Sequence, residues 1–439
     1  MAQTLISEIS SVEGDAPRRE RTRVVGAVAA WLAAIALGAS VASALSGHAI
    51  SINAPPLHAR ADPVLPPELA LALVVSALLV GVLPALATRA SWRVLLAGAP
   101  ASAVVFGCVL ASIRGADRVV APVRGHREYL AVLPRVADVG TFLGTFTERL
   151  PSYPVHVQGH PPGPVLLAVA LRDLGLGAPV WFAAALIAGG VLLVPATLIV
   201  VREVAGEHWA RRAMPFLVVG PAAIWLVTSA DALFAGIGAL GVALVVVATG
   251  TRSPRRDLLA VTGGLVLGAA AFLSYGLVLL AVIPLAIAWR RRTVRPIALA
   301  AAGALAVALA FLGAGFWWVD GMAATREQYF AGIAARRPYL AFALINVAAF
   351  ALVVGPAAAV GIARLRDRRM WLIVGAGLVV VGAGLVSGLA KGEVERIWLP
   401  FVPWVLVAAA ATRRRVLVGW LGAQAGLAIL IESLIRTPW

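Results

Sequence analysis

The sequence predicts an all-α, polytopic transmembrane helical bundle of about thirteen spans with a partly helical outer loop. Three observations carry that expectation. Apolar runs of 15 to 23 residues recur from Val24 to the C-terminus, a pattern that a water-soluble core does not need. Hydrophobic residues make up 61% of the 439 and charged residues only 13%, about half the charge of a typical soluble chain. The arginines are gathered in short clusters between the apolar runs, as in Arg290-Arg291-Arg292 and Arg413-Arg414-Arg415.

Residues 1–23 are polar, end in Arg18-Arg19-Glu20-Arg21-Thr22-Arg23, and form the predicted cytoplasmic tail. The run Val24 to Leu45 is longer than the apolar region of a signal peptide, so it is expected to stay as the first span. Ala42-Ser43-Ala44 leaves cleavage as the alternative. The transmembrane domain covers 24–435, with spans near 24–46, 68–87, 94–113, 179–201, 214–229, 231–249, 258–273, 275–289, 296–316, 339–362, 371–389, 397–411 and 416–435. The 32-residue stretch Leu258 to Trp289 is too long for one untilted helix at ~1.5 Å per residue, and it divides at Ser274-Tyr275-Gly276. Outer loops are expected at 47–67, 114–178, 317–338 and 390–396, with no separate soluble domain.

Charge orients these spans. With the N-terminus inside, the inner segments hold 23 Arg or Lys against 8 Asp or Glu, and the outer segments 14 against 12. Nearly all of the net charge of +16 therefore falls on one face, as the positive-inside rule requires. That placement argues against a nucleic-acid partner and for a bilayer. Cys108 is the sole cysteine, so no intrachain disulfide forms. The inner loops carry no GxxxxGK[ST] phosphate loop and no dinucleotide-binding fingerprint.

Chemistry is expected on the outer face. The strongest local signal is His156-Val157-Gln158-Gly159-His160-Pro161-Pro162-Gly163-Pro164, followed by the apolar run Val165 to Leu171. The prolines disfavour helix before them and suit the first turn of a helix that starts there, placing His160 at a rigid helix entrance. An imidazole there binds metal, donates to phosphate or moves a proton; the plain alternative is a proline-stiffened re-entry loop. Upstream lie Asp117, Glu128, Asp138 and Glu148, with Glu128 inside His126-Arg127-Glu128-Tyr129. Such a carboxylate suits a general base for a hydroxyl acceptor or a ligand to a divalent cation.

This order resembles the first outer loop of the GT-C superfamily, the integral membrane glycosyltransferases that use polyprenyl-phosphate-linked sugars. The order is a span, an outer loop with an acidic-Tyr element, an amphipathic stretch, His-Pro-Pro-Gly and an apolar helix. In that family the loop carries an essential Asp or Glu, and a Lys- or His-Pro-Pro element leads back into the membrane. By position Glu128 or Asp117 matches the acid, and His160-Pro161-Pro162 the second element. The resemblance covers roughly residues 94–290. It departs in lacking an Asp-x-Asp or Asp-Glu pair and in having two spans before the acidic loop.

The resemblance implies sugar transfer from a lipid-linked donor to a glycan, lipid or protein acceptor at the outer face of a bacterial plasma membrane, in cell-envelope glycan or glycolipid synthesis. Glu128, Asp117 and His160 are then the catalytic candidates, and the same three the metal candidates if a Mg or Mn ion takes part. Asp231, at the outer end of a span, is costly at that depth and is a substrate-binding candidate, with helix capping as its alternative. His156, Tyr275, Lys391, Glu395, Arg396 and Arg336 complete the substrate-binding set. Arg396 or Lys391, just before Ile397-Trp398-Leu399-Pro400, is expected to hold the lipid phosphate, or else to anchor the loop at the interface. A multi-span transporter or lipid flippase is the rival expectation; it calls for ionisable residues at mid-membrane depth on several helices.

Overall fold

The computed structural model describes residues 2–45, 52–227 and 229–437, with side chains described from Glu20 onward. The described residues are mostly helical, with a short antiparallel pairing of Arg60–Ala61 with Ile435–Arg436. Among the described residues, nine helices are long and apolar enough to cross a membrane. They are Glu20–Ala44, Glu68–Arg89, Trp92–Ser112, Pro179–Ala205, Ala230–Ala248, Arg295–Gly313, Tyr339–Arg364, Arg368–Ser387 and Arg414–Leu434. Each falls on an expected span. The polar tail does not precede the first helix but is its beginning, since that helix runs from Ala2 to Ala44. The end of the first span at residue 46 and the loop residues 47–51 lie outside the described residues, as does Thr228.

Four expected spans take a different form. The run 214–229 begins inside the Glu207–Val219 helix and is broken by Gly220-Pro221, where proline lacks an N–H and forces Gly220 into extended backbone. The run 258–273 belongs to a helix that starts earlier, at Pro254, capped by the Ser253 hydroxyl, so its first turn carries Arg255, Arg256 and Asp257. The run 275–289 opens as a 3₁₀ stretch, Tyr275–Ala281, before the ten-residue helix Val282–Arg291. The run 397–411, which contains Pro400 and Pro403, folds as the short pieces Val402–Leu406 and Val407–Ala411.

The apolar side chains point outward as well as inward. Leu78 is 61% exposed and Val386 76%, on helices whose opposite faces are closely packed. That inversion suits a hydrocarbon surrounding rather than water. Within the bundle the Tyr339–Arg364 helix unwinds at Gly355, whose φ of 74° and following Pro356 remove the normal hydrogen bonds. Buried Gln424, from the last helix, fills the gap: its Nε2 donates to the Val354 carbonyl at 2.9 Å and its Oε1 accepts from Ala357 N at 3.5 Å. A Cβ on Gly355 would meet that Gln424 amide, so the position requires glycine twice over.

The two ends of the bundle are separately stitched. At the arginine-rich end Glu203 pairs with Arg291 (3.2 Å) and Arg256 (3.7 Å), Arg295 with Asp257 (2.8 Å), and Glu20 with both Arg364 and Arg413. At the other end Arg114 reaches Asp62 (3.3 Å) and Glu432 (3.8 Å), His156 meets Glu128, and Arg396 meets Asp231. Among the described residues, no ion pair joins an expected inner segment to an expected outer one.

Candidate functional site

The acid-rich end is organised around the short loop before the Val394–Ile397 turn. Asn346 Oδ1 accepts from Gly392 N at 3.0 Å, and the Tyr329 hydroxyl accepts from Lys391 N at 2.7 Å. The Arg337 guanidinium donates to the Lys391 carbonyl, and Lys391 Nζ donates to the Ala334 carbonyl at 3.1 Å. These contacts tie the loop to the 317–338 segment and to the Tyr339–Arg364 helix, and the left-handed backbone at Gly388, Gly392 and Glu393 lets it turn sharply. Of the two adjacent arginines it is Arg337, buried, that serves the loop, while Arg336 is exposed. Lys391 is held by backbone and by the Phe330 ring 5.2 Å below its ammonium.

The turn delivers Arg396 into the interior. Its guanidinium meets Asp231 Oδ2 through Nη1 and Glu393 Oε2 through Nη2 (3.2 Å). Asp231 sits in the first turn of the Ala230–Ala248 helix, capped by Ser229, whose hydroxyl also donates to the Asp231 carboxylate at 2.9 Å. Both side chains of the Arg396–Asp231 pair are sealed, at 5% and 3% exposure. Burial works against the Arg396 charge, but Asp231 and Glu393, with Tyr129 and Glu128 adding, hold its proton more firmly than usual. Burial likewise opposes the Glu393 charge, and Arg396, His58 and Arg337 outweigh it, keeping this carboxyl below its ordinary range. Glu395 is the opposite case. Burial, reinforced by Glu393, pushes it up to about 7 against the backbone N–H of His58, which donates to Oε1 at 3.0 Å.

The 114–178 loop brings its own pair to the same place. His156 Nδ1 lies 2.9 Å from Glu128 Oε1. A carboxylate only accepts, so His156 Nδ1 is the donor of this bond. His160, four residues on, directs Nδ1 to the His156 carbonyl at 2.8 Å, with the Tyr129 hydroxyl 3.1 Å from the same nitrogen. Burial pushes the His160 imidazole down to about 4, with Asp231 opposing, so it is neutral at physiological pH. It therefore ties His156 to Tyr129, the neighbour of Glu128, rather than supplying a positive charge. The helix Gly163–Asp173 begins where the prolines predict. Gly163 N donates to the Phe272 carbonyl at 2.9 Å, and a Cβ there would lie 2.2 Å from that oxygen.

Glu128, His156, Ser229 and Arg396 line one cavity of about 10 Å³, room for roughly a single water. Asp231, His160 and Glu393 sit directly behind these walls through the bonds above. Asp117 is exposed on the 3₁₀ turn Ala116–Val119, and Tyr275 packs edge-on against Trp318 (5.3 Å); neither lines the cavity. Among the described residues, no three His, Cys, Asp or Glu side chains come together as a metal-binding group. Ser229 and Tyr129 had no role assigned from sequence, where Arg336 and Arg337 were equal second choices for a phosphate contact. Ser229 was recognisable as the residue before an acidic helix start, whereas the choice between Arg336 and Arg337 depends on which one the turn buries. The chain matches no known protein family, no curated protein and no solved structure.

Proposed function

We propose that this protein is a membrane glycosyltransferase that moves a sugar from a polyprenyl-phosphate donor to a hydroxyl acceptor at its acid-rich end, the outer face of a bacterial plasma membrane. The observation that carries the reading is the Glu128–His156 pair at 2.9 Å facing the same cavity as Arg396. Carboxylate, imidazole and guanidinium are what an inverting displacement at a sugar phosphate calls for. The acceptor oxygen attacks the anomeric carbon, its proton passes to the Glu128–His156 pair, and the bond from that carbon to the phosphate oxygen breaks. The polyprenyl phosphate leaves with the bonding electrons. Arg396 is the cation assigned to the phosphate, with Asp231 and Glu393 fixing its fork. His160, neutral, positions His156 through its carbonyl. A cavity of about 10 Å³ does not admit a sugar, so the reaction requires the outer loop to move away from the Ala230–Ala248 helix before substrate binds.

The test is in vitro transfer by Glu128→Gln and Asp117→Asn in parallel. Loss of a general base lowers turnover about 10²- to 10⁴-fold, so Glu128→Gln is expected to fall in that range and Asp117→Asn to stay near the wild type. The reverse order would move the base to Asp117, and activity in both variants would remove it from this loop.

A further inference from the structure

The opposite, arginine-rich end holds a second and much larger cavity. A cleft of about 450 Å³ opens between the first helix and the last, within the range of small-molecule sites (~300–1,000 Å³). Its walls are apolar, Val24 and Val25 on one side and Gly419, Trp420 and Ala423 on the other. Its mouth is charged: Arg21, Arg364 and Arg413 gather there with Glu20. Glu20 pairs with both Arg364 and Arg413, Arg21 lines the same mouth, and exposed Arg414 and Arg415 follow on the same turn. The first helix packs mainly along the Tyr339–Arg364 helix, where Trp31 Nε1 donates to the Ala351 carbonyl at 2.7 Å. Only 6% of its most apolar window is buried.

We propose that this cleft is a binding site for one anionic phospholipid of the surrounding leaflet, its phosphate among Arg21, Arg364 and Arg413 and an acyl chain against Val25 and Trp420. Charge complementarity selects this occupant. Among the described residues the mouth carries three positive charges and one negative; a zwitterionic lipid brings no net charge to it, whereas an anionic headgroup neutralises part of that excess, as in basic pockets between helices at a membrane surface. The apolar walls continue the lipid-facing surface, so the chain enters from the side without leaving hydrocarbon. Gly419 keeps the slot open; nothing lies within 4 Å of the position its Cβ would take, so a larger side chain there fills the cleft without disturbing the bundle. The site lies at the other end from Glu128, and its test is independent of the reaction proposed there.

The experiment is native mass spectrometry of the purified full chain in detergent micelles, titrated with phosphatidylglycerol or phosphatidylcholine. One phosphatidylglycerol is expected to bind preferentially, with each arginine contributing about fivefold. Arg21→Gln combined with Arg413→Gln is expected to remove the preference, and Gly419→Leu to remove binding while leaving the charges in place. Equal binding of the two lipids to the wild type overturns the proposal, as does a preference that survives both variants. A dimer that Gly419→Leu dissociates would show a second copy of the chain to be the occupant instead.

Discussion

Removing either partner of the buried Arg396–Asp231 pair is expected to destabilise the protein, and by unequal amounts. With side chains 5% and 3% exposed, water offers little screening to whichever charge is left. Breaking a buried pair from one side costs about 3–5 kcal/mol. Asp231→Asn leaves Arg396 with Glu393 at 3.2 Å and keeps an oxygen for the Ser229 hydroxyl, so its cost belongs at the lower end, about 3 kcal/mol. Arg396→Met leaves two carboxylates, Asp231 and Glu393, without their shared cation, and belongs at the upper end, about 5 kcal/mol. Once the cation is gone the aspartate charge is itself a liability. The double variant should therefore cost less than the sum of the singles, by about 1–3 kcal/mol. Reversible denaturant titration in mixed micelles, followed by far-UV circular dichroism, gives all three values. Additive costs, or Asp231→Asn costing more than Arg396→Met, would refute the reasoning.

Three further outcomes follow from the geometry. Gly163→Ala is expected to cost about 1–3 kcal/mol in the same titration, because the new methyl group meets the Phe272 backbone carbonyl, which cannot rotate away. Gln424→Leu should cost about 1–2 kcal/mol by leaving the Val354 carbonyl unpaired in an apolar interior. The third concerns pH. His160, held at about 4 against about 6.5 unfolded, binds its proton more readily when unfolded, so its share of stability falls as pH drops from about 6.5 to 4. Glu395, raised to about 7 against about 4.5 unfolded, does the reverse: its share is present below pH 4.5 and is lost as pH rises to about 7. Each amounts to roughly 3 kcal/mol, and between pH 4.5 and 6.5 they oppose one another. Relative to the wild type, His160→Gln should gain stability on acidification and Glu395→Gln on alkalinisation; parallel profiles would contradict both assignments.

The helices and the two ends were legible in the sequence because hydropathy and arginine clustering are local properties. The broken spans were not. Gly220-Pro221 and the prolines at 400 and 403 lie within runs whose average hydropathy hides them. The His-Pro-Pro-Gly segment was informative for a physical reason, since its prolines start a helix and Gly163 must touch another backbone. Glu128, His156, His160, Asp231 and Arg396, drawn from three separate stretches of the sequence, were all singled out there, and the structure gathers them. Asp117, Tyr275 and Arg336 share those traits and lie elsewhere, because nothing local decides which of several outer charges a turn will bury. Lys391 and Arg396 were equivalent as cations in sequence. In the structure one fastens a loop, and the other forms the wall of the cavity.

The central claim is tested most directly by incubating the purified protein in liposomes with a panel of polyprenyl-phosphate sugars and candidate glycan acceptors. Free polyprenyl phosphate should appear in step with a glycosylated product of inverted anomeric configuration, and Glu128→Gln should abolish both. Movement of a lipid-linked sugar across the bilayer with no cleavage of its phosphate bond would contradict the account and make the protein a carrier.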